Sequence, residues 1–287
     1  MLWKDNGRSS NLEDGRGSSF GGRAGMGIGG TAVLLILSLV FGHNFFNDVG
    51  GSAGNVSQSN GQLSSNGQLS PADSAREEPE VRFVSFVLDD AQATWSRILP
   101  QYGAQYHDAH LRLFRGATDT GCGTGQTAMG PFYCPVDEKV YIDLEFYEEL
   151  KTKFAAAGDF AQAYVIAHEL GHHVQHILGT DAQMRRTLRS NTGRANELSV
   201  KLELQADCFA GVWGHSTQQR RILQQGDVEE GLAAAASVGD DRIQQRTTGR
   251  VNQETFTHGS SAQRSSWFRK GLESGDPRAC DTFGAGG

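Results

Sequence analysis

His168, Glu169 and His172 stand in the spacing His-Glu-x-x-His within AHELGHHVQ, residues 167–175. On a helix, histidines four residues apart lie one turn above each other and can bind one metal ion together. Glu169 projects beside the first of them, where a carboxylate can take a proton from a water activated by the metal. The chemistry such a trio serves is metal-assisted hydrolysis. Three fixed positions also recur by chance, so the pattern needs support from elsewhere in the chain.

A catalytic zinc takes three protein ligands and keeps one position open, which sets the search for a third. An extended motif with Gly at 175 and His at 178 is excluded, because the chain has Gln175 and Leu178. Glu203 and Asp207, one helical turn apart, have the spacing to put one acid on the metal and the other behind a ligating histidine. Leu202, Leu204, Ala206 and Phe209 surround the pair, which favours a buried position over a solvated helix face. We therefore read Glu203 as third ligand and Asp207 as the acceptor that orients His168 or His172. His215 and His258 stay open as other third ligands. His173 and His176 fall off the face shared by His168 and His172, and read as residues of the helix flank.

These residues require two helices side by side. Phe160, Ala163, Tyr164, Ala167, Leu170, Val174 and Ile177 recur at helical spacing from Asp159, a plausible N-cap, to about Leu178, with Gly179 as a stop. A second long helix covers about Ala195–Trp213, a third Ser260–Leu272 behind a capping Ser, and Asp227–Val238 is a fourth. Val81–Leu99 has apolar residues near helical spacing and ends at Pro100 and Gly103. LRLF at 111–114 and KVYIDLEF at 139–146 alternate as strands do. Val140–Leu144, taken as an edge strand, could pair with an extended peptide. Tyr133 and Tyr141 read as core aromatics. The class is α+β, mainly helical with a small β-sheet.

The chain has 287 residues and a formal net charge of −7, with no long basic run. That balance excludes a nucleic-acid partner. No Asp, Glu, Lys or Arg occurs from Ala24 to Asn47, and Thr31–Gly42 is strongly apolar. Residues 25–47 are therefore expected to form one transmembrane helix. Lys4, Arg8, Arg16 and Arg23 precede it, so residues 1–24 are expected in the cytoplasm and the rest in the periplasm or outside. The rival, a cleaved signal peptide, lacks a clean small-x-small site and has too long a charged region. Residues 48–80, with SNGQLS twice (59–64 and 65–70), read as a flexible linker. Residues 81–287 form the folded domain.

An external domain can keep disulfides. Cys122 and Cys134 bracket a short Gly-rich loop and are the preferred pair, which leaves Cys208 with Cys280. Four cysteines permit three pairings, and spacing does not choose among them. No CxxC occurs, which disfavours a four-cysteine zinc site, and the Gly run lacks the Lys-Ser/Thr of a phosphate loop.

WSRIL, LFRGATDTGCGTGQTAMGPFYCPVDEKVYIDLEFY, GDFAQAYVIAHELGHHVQ, LSVKLELQADCFAGVWGHS, GDDRIQQR, FTHGSSAQRSSWFRKG and SGDP carry a resemblance to the bacterial neutral zinc metallopeptidases of the YpfJ-like family. It covers nearly all of Val81–Phe283. The resemblance implies a zincin-like domain of the gluzincin type with one Zn2+ per chain, acting on a peptide or protein substrate. ELQAD and FTHGSSAQR are also similar to stretches of CAAX-type and heat-shock peptidases, which makes His258 and Arg264 candidate catalytic donors to the oxyanion. Glu169 would be general base in a membrane-anchored peptidase. The alternative is a catalytically silent, zinc-stabilised module that binds envelope partners. Retention of Glu169 favours activity, since a structural site needs no base.

Overall fold

The computed structural model describes residues 1–17, 70–152 and 158–284. Among them are eight α-helices and six strands. The helices are α1 (Pro71–Ile98), α2 (Glu145–Thr152), α3 (Asp159–Leu178), α4 (Thr180–Ser190), α5 (Ala195–Gln219), α6 (Asp227–Ser237), α7 (Asp240–Thr248) and α8 (Ser261–Ser274). The strands are β1 (Leu12–Asp14), β2 (His110–Phe114), β3 (Ala117–Thr120), β4 (Gly123–Gln126), β5 (Phe132–Cys134) and β6 (Lys139–Asp143). The mainly helical α+β class follows directly.

One sheet has the order β1-β2-β6-β5, with β1 and β6 parallel to β2 and β5 antiparallel to β6, while β3 and β4 form a separate hairpin. β6 is thus paired with β2 along its whole length and with β5 at Lys139–Tyr141. The expectation that Val140–Leu144 is an open edge for a peptide is corrected at Val140 and Tyr141, which β5 covers.

α3 runs through the middle of the core. Phe160, Ala161, Ala163, Ile166, Leu170 and Val174 are fully buried on it, each large side chain contributing about 1.5–3 kcal/mol by leaving water. Asp159 is its first residue and not its cap; Gly158 takes that place. α1 packs on α3 through Val81, Val84, Val87, Leu88 and Ala91, all buried at three- and four-residue spacing. It starts ten residues before the expected domain boundary. Ser70 caps it by accepting from the Asp73 amide, and Pro71 sits at N1, where its missing N–H costs nothing.

Two close crossings set the site. At Gly171, a Cβ would lie 2.9 Å from the backbone oxygen of Ala206, so only glycine lets α3 approach α5 there. At Gly211 and Gly271, added Cβ atoms would meet the backbone of Phe268 and of Cys208 at 2.1 and 1.9 Å. α8 therefore lies backbone to backbone on α5. Cys122–Cys134 and Cys208–Cys280 are disulfide-bonded; the second ties the C-terminal turn to α5.

The expected membrane topology is corrected. Among the described residues no helix is long and apolar enough to cross a membrane, and residues 25–47 lie outside them. More decisively, residues 1–17 fold onto the domain. The Met1 amine donates to Asp159 at 2.9 Å and Asp227 at 3.2 Å. Trp3 packs edge-on against Phe83. β1 pairs with β2 from Leu12↔Leu111 to Asp14↔Leu113. Arg16, buried, pairs with Asp14 and Glu77, and Arg8 with Asp14 and Glu78. These cations complement carboxylates of the fold instead of marking a cytoplasmic flank. The N-terminal segment and the domain form one body, so a cytoplasmic N-terminus with an external domain is excluded.

Candidate metal centre

The Gly171–Ala206 crossing brings one turn of α3 against one turn of α5. Nε2 of His168 and of His172 face the two carboxylate oxygens of Glu203, at 3.2 and 3.5 Å. The three residues present ligand atoms within 4.8 Å of one another. Two imidazoles and a carboxylate are the donor set of an open zinc site, so these residues fit such an ion. His215 is not part of this group; its Nδ1 donates to the Leu272 carbonyl at 2.8 Å.

Both histidines are held from behind. His168 Nδ1–H donates to Asp207 at 2.9 Å, and His172 Nδ1–H donates to Gln175 Oε1 at 2.8 Å. Each turns Nε2 toward Glu203, the nitrogen that becomes the ligand atom once its proton is lost. Gln175 is fixed in turn by donating to the Leu202 carbonyl at 2.7 Å and Gln205 Oε1 at 3.1 Å. From sequence, Gln175 served only to exclude the extended motif and had no role in the site. The available signal was its position three residues after His172, where helix side chains meet.

Asp207, fully buried, is the hub. Arg264 donates to it with Nε at 2.8 Å and Nη2 at 2.9 Å, and the Tyr164 hydroxyl donates to it as well. Arg264 Nη2 also lies 3.6 Å from Glu203. Arg264 is therefore committed to the carboxylates behind the histidines. Tyr164 also went unnoticed in the sequence, where it passes for one more apolar position of α3.

The electrostatics follow. Burial alone would raise Glu203, but His172 and His168 outweigh it and hold its carboxyl well below the ordinary range. Burial opposes charge on His168, yet Asp207 and Glu203 prevail and raise it to about 9. Asp207 is lowered against its burial, chiefly by Arg264. Glu169, 7% exposed, is raised above the ordinary range, first by burial and then with Glu203 working against the two histidines.

His258 belongs to the loop before α8. Asp240, at the start of α7, accepts from the amides of Thr257, His258 and Gly259 at 2.7–3.0 Å and from His258 Nδ1 at 3.0 Å. A Cβ on Gly259 would meet Val200 and Leu204 at 3.2 and 3.4 Å, so this loop rests on the turn of α5 that carries Glu203. Asp240 is a further positioning residue that spacing did not expose.

The family model described as "Putative neutral zinc metallopeptidase" matches residues 1–283. The chain is 48% identical to the uncharacterized protein YpfJ of Escherichia coli strain K12 over 292 aligned positions, 99% of each chain. It is 47% identical to the uncharacterized protein Rv2575 of Mycobacterium tuberculosis strain H37Rv over 208 positions, covering 69% of this chain and 68% of that one. No solved structure matches.

Proposed function

Because the chain belongs to the neutral zinc metallopeptidase family, we propose that it is a zinc-dependent peptidase of the gluzincin type, with a zincin-like arrangement of α3 and α5. His168, His172 and Glu203 hold one zinc ion, and the substrate is a peptide or protein. The observation that carries this reading is the pair of Nε2 atoms turned to the two oxygens of Glu203. When bound, zinc supplies Lewis acidity that activates a water and polarises the scissile carbonyl.

The chain's own residues do the rest. Glu169 accepts the proton on its carboxylate and returns it to the leaving amine. Asp207 and Gln175 keep both imidazoles in the tautomer whose Nε2 is a ligand. Arg264 acts as a positioning residue: it neutralises Asp207 through Nε and Nη2, while Nη1 donates to the Val238 carbonyl at 3.3 Å. His258, oriented by Asp240, is the donor to the developing oxyanion.

The test is hydrolysis of an unfolded protein by the purified chain, with zinc measured on the same sample. The expected result is activity that a chelator removes and zinc restores, together with loss of zinc in Glu203→Ala. Full zinc in Glu203→Ala would remove the third ligand. Full zinc with no hydrolysis of any unfolded protein would favour the silent binding module.

A further inference from the structure

The helix that carries His168 and His172 has two more histidines, His173 and His176, on its far side. They do not reach the centre described above. They face Tyr133 on β5, the loop at His107 and the turn at Glu138. The geometry points to a second metal site there, built from His107, Glu138, His173 and His176, for a divalent transition-metal ion.

Four observations support it. First, His107, Glu138 and His173 present ligand atoms within 4.8 Å of one another. Second, Glu138 stands between imidazoles as Glu203 does: its Oε2 is 2.5 Å from His107 Nε2 and its Oε1 is 3.7 Å from His176 Nε2. Third, both helix histidines are preset as ligands. His173 Nε2–H donates to the His107 carbonyl at 2.8 Å, so its Nδ1 carries the lone pair, which here accepts from the Tyr133 hydroxyl at 2.9 Å. His176 Nδ1–H donates to Asp181 at 2.9 Å, and Arg185 holds that carboxylate at 2.8 Å, so Nε2 of His176 is the face toward Glu138. One ring nitrogen tied to an oxygen acceptor and the other turned inward is the usual state of a metal-binding histidine. Fourth, Glu138 has φ 55°, a left-handed conformation that disfavours a residue with a Cβ by about 1–3 kcal/mol. That conformation closes the β5–β6 turn at residues 135–138 and brings the carboxylate between the imidazoles.

The donor set selects the cation. Imidazoles with one carboxylate suit zinc, cobalt, nickel or copper, whereas calcium and magnesium require oxygen shells. On binding, His173 exchanges the Tyr133 hydroxyl for the metal. The ion would fasten the back of α3 to the His107 loop and the β5–β6 turn.

The test uses the full chain without a histidine tag, stripped of metal and titrated with Zn2+ alone, and separately with Co2+ to follow its visible absorption. Two equivalents are expected to bind. Glu138→Gln, at a half-buried position, and His107→Ala, at an exposed one, should each weaken one equivalent by more than the roughly 10- to 100-fold typical of losing an outer partner, while the other equivalent stays. Glu203→Ala should remove the other equivalent and spare this one, so failure of either site is read separately. A single equivalent in the wild-type chain that Glu203→Ala removes, or a second one unchanged in both Glu138→Gln and His107→Ala, would overturn the proposal.

Discussion

Replacing Asp207 by Asn probes the hub behind the metal centre. The wild-type carboxylate receives four donors on two oxygens: Nε and Nη2 of Arg264, Nδ1 of His168 and the Tyr164 hydroxyl. An amide of the same shape presents an NH2 group to one of those donors and removes the charge that compensates Arg264, whose side chain is 4% exposed. Breaking a buried ion pair from one side costs about 3–5 kcal/mol. Glu203, 3.6 Å from Arg264, recovers part of this, which places the expected loss near 3 kcal/mol. That recovery draws Glu203 toward Arg264 and away from the histidines. Zinc affinity should therefore fall at least about 10- to 100-fold, the range for a lost outer partner. Urea unfolding of the chelated protein measures the first quantity, and competition with a chromophoric chelator the second. The double variant Asp207→Leu with Arg264→Met separates them: stability should largely return, since an apolar pair often replaces a buried ion pair without loss, while zinc affinity stays weak because His168 still lacks its acceptor. Restored zinc affinity in the double variant, or Asp207→Asn with stability and affinity both unchanged, would refute the reasoning.

Three further outcomes are expected. Gln175→Ala should weaken zinc about tenfold or more by releasing His172 Nδ1; unchanged affinity in the same chelator competition would make Gln175 a packing residue only. Zinc binding should release protons at pH 7, because His168, raised to about 9, and His172, raised as well, must lose them to become ligands. Affinity should thus rise about tenfold per pH unit per displaced proton between pH 6 and 8 and level off above about 9, and calorimetry in buffers of different ionisation enthalpy counts the protons. Replacing Cys208 and Cys280 by Ala opens a loop with a sequence separation of 72 residues, for which chain entropy implies a loss of about 4 kcal/mol, measured by the shift of the urea midpoint.

Much of the metal helix was legible in the chain. Apolar residues from Phe160 to Ile177 keep a helical period because one face must meet the core, and Glu203 with Asp207 stand out as acids among apolar neighbours. Gln175, Tyr164 and Asp240 did not stand out, since their roles come from contacts across elements and not from local pattern. β1 is three residues long, and its partner β2 lies almost a hundred residues away, so no periodicity announces the pair. The same gap explains the topology error: Arg8 and Arg16 look like flanking charges until their carboxylate partners on α1 are known. Strand order, which places β5 outside β6, is likewise a property of the whole sheet.

The central claim is that Glu169 is the base of a zinc peptidase. It is tested most directly by measuring hydrolysis of an unfolded protein and bound zinc on one preparation of Glu169→Gln. The account predicts zinc at the wild-type level with hydrolysis reduced about 10²- to 10⁴-fold, the range for loss of a general base. Hydrolysis within tenfold of wild type, with zinc retained, would contradict it.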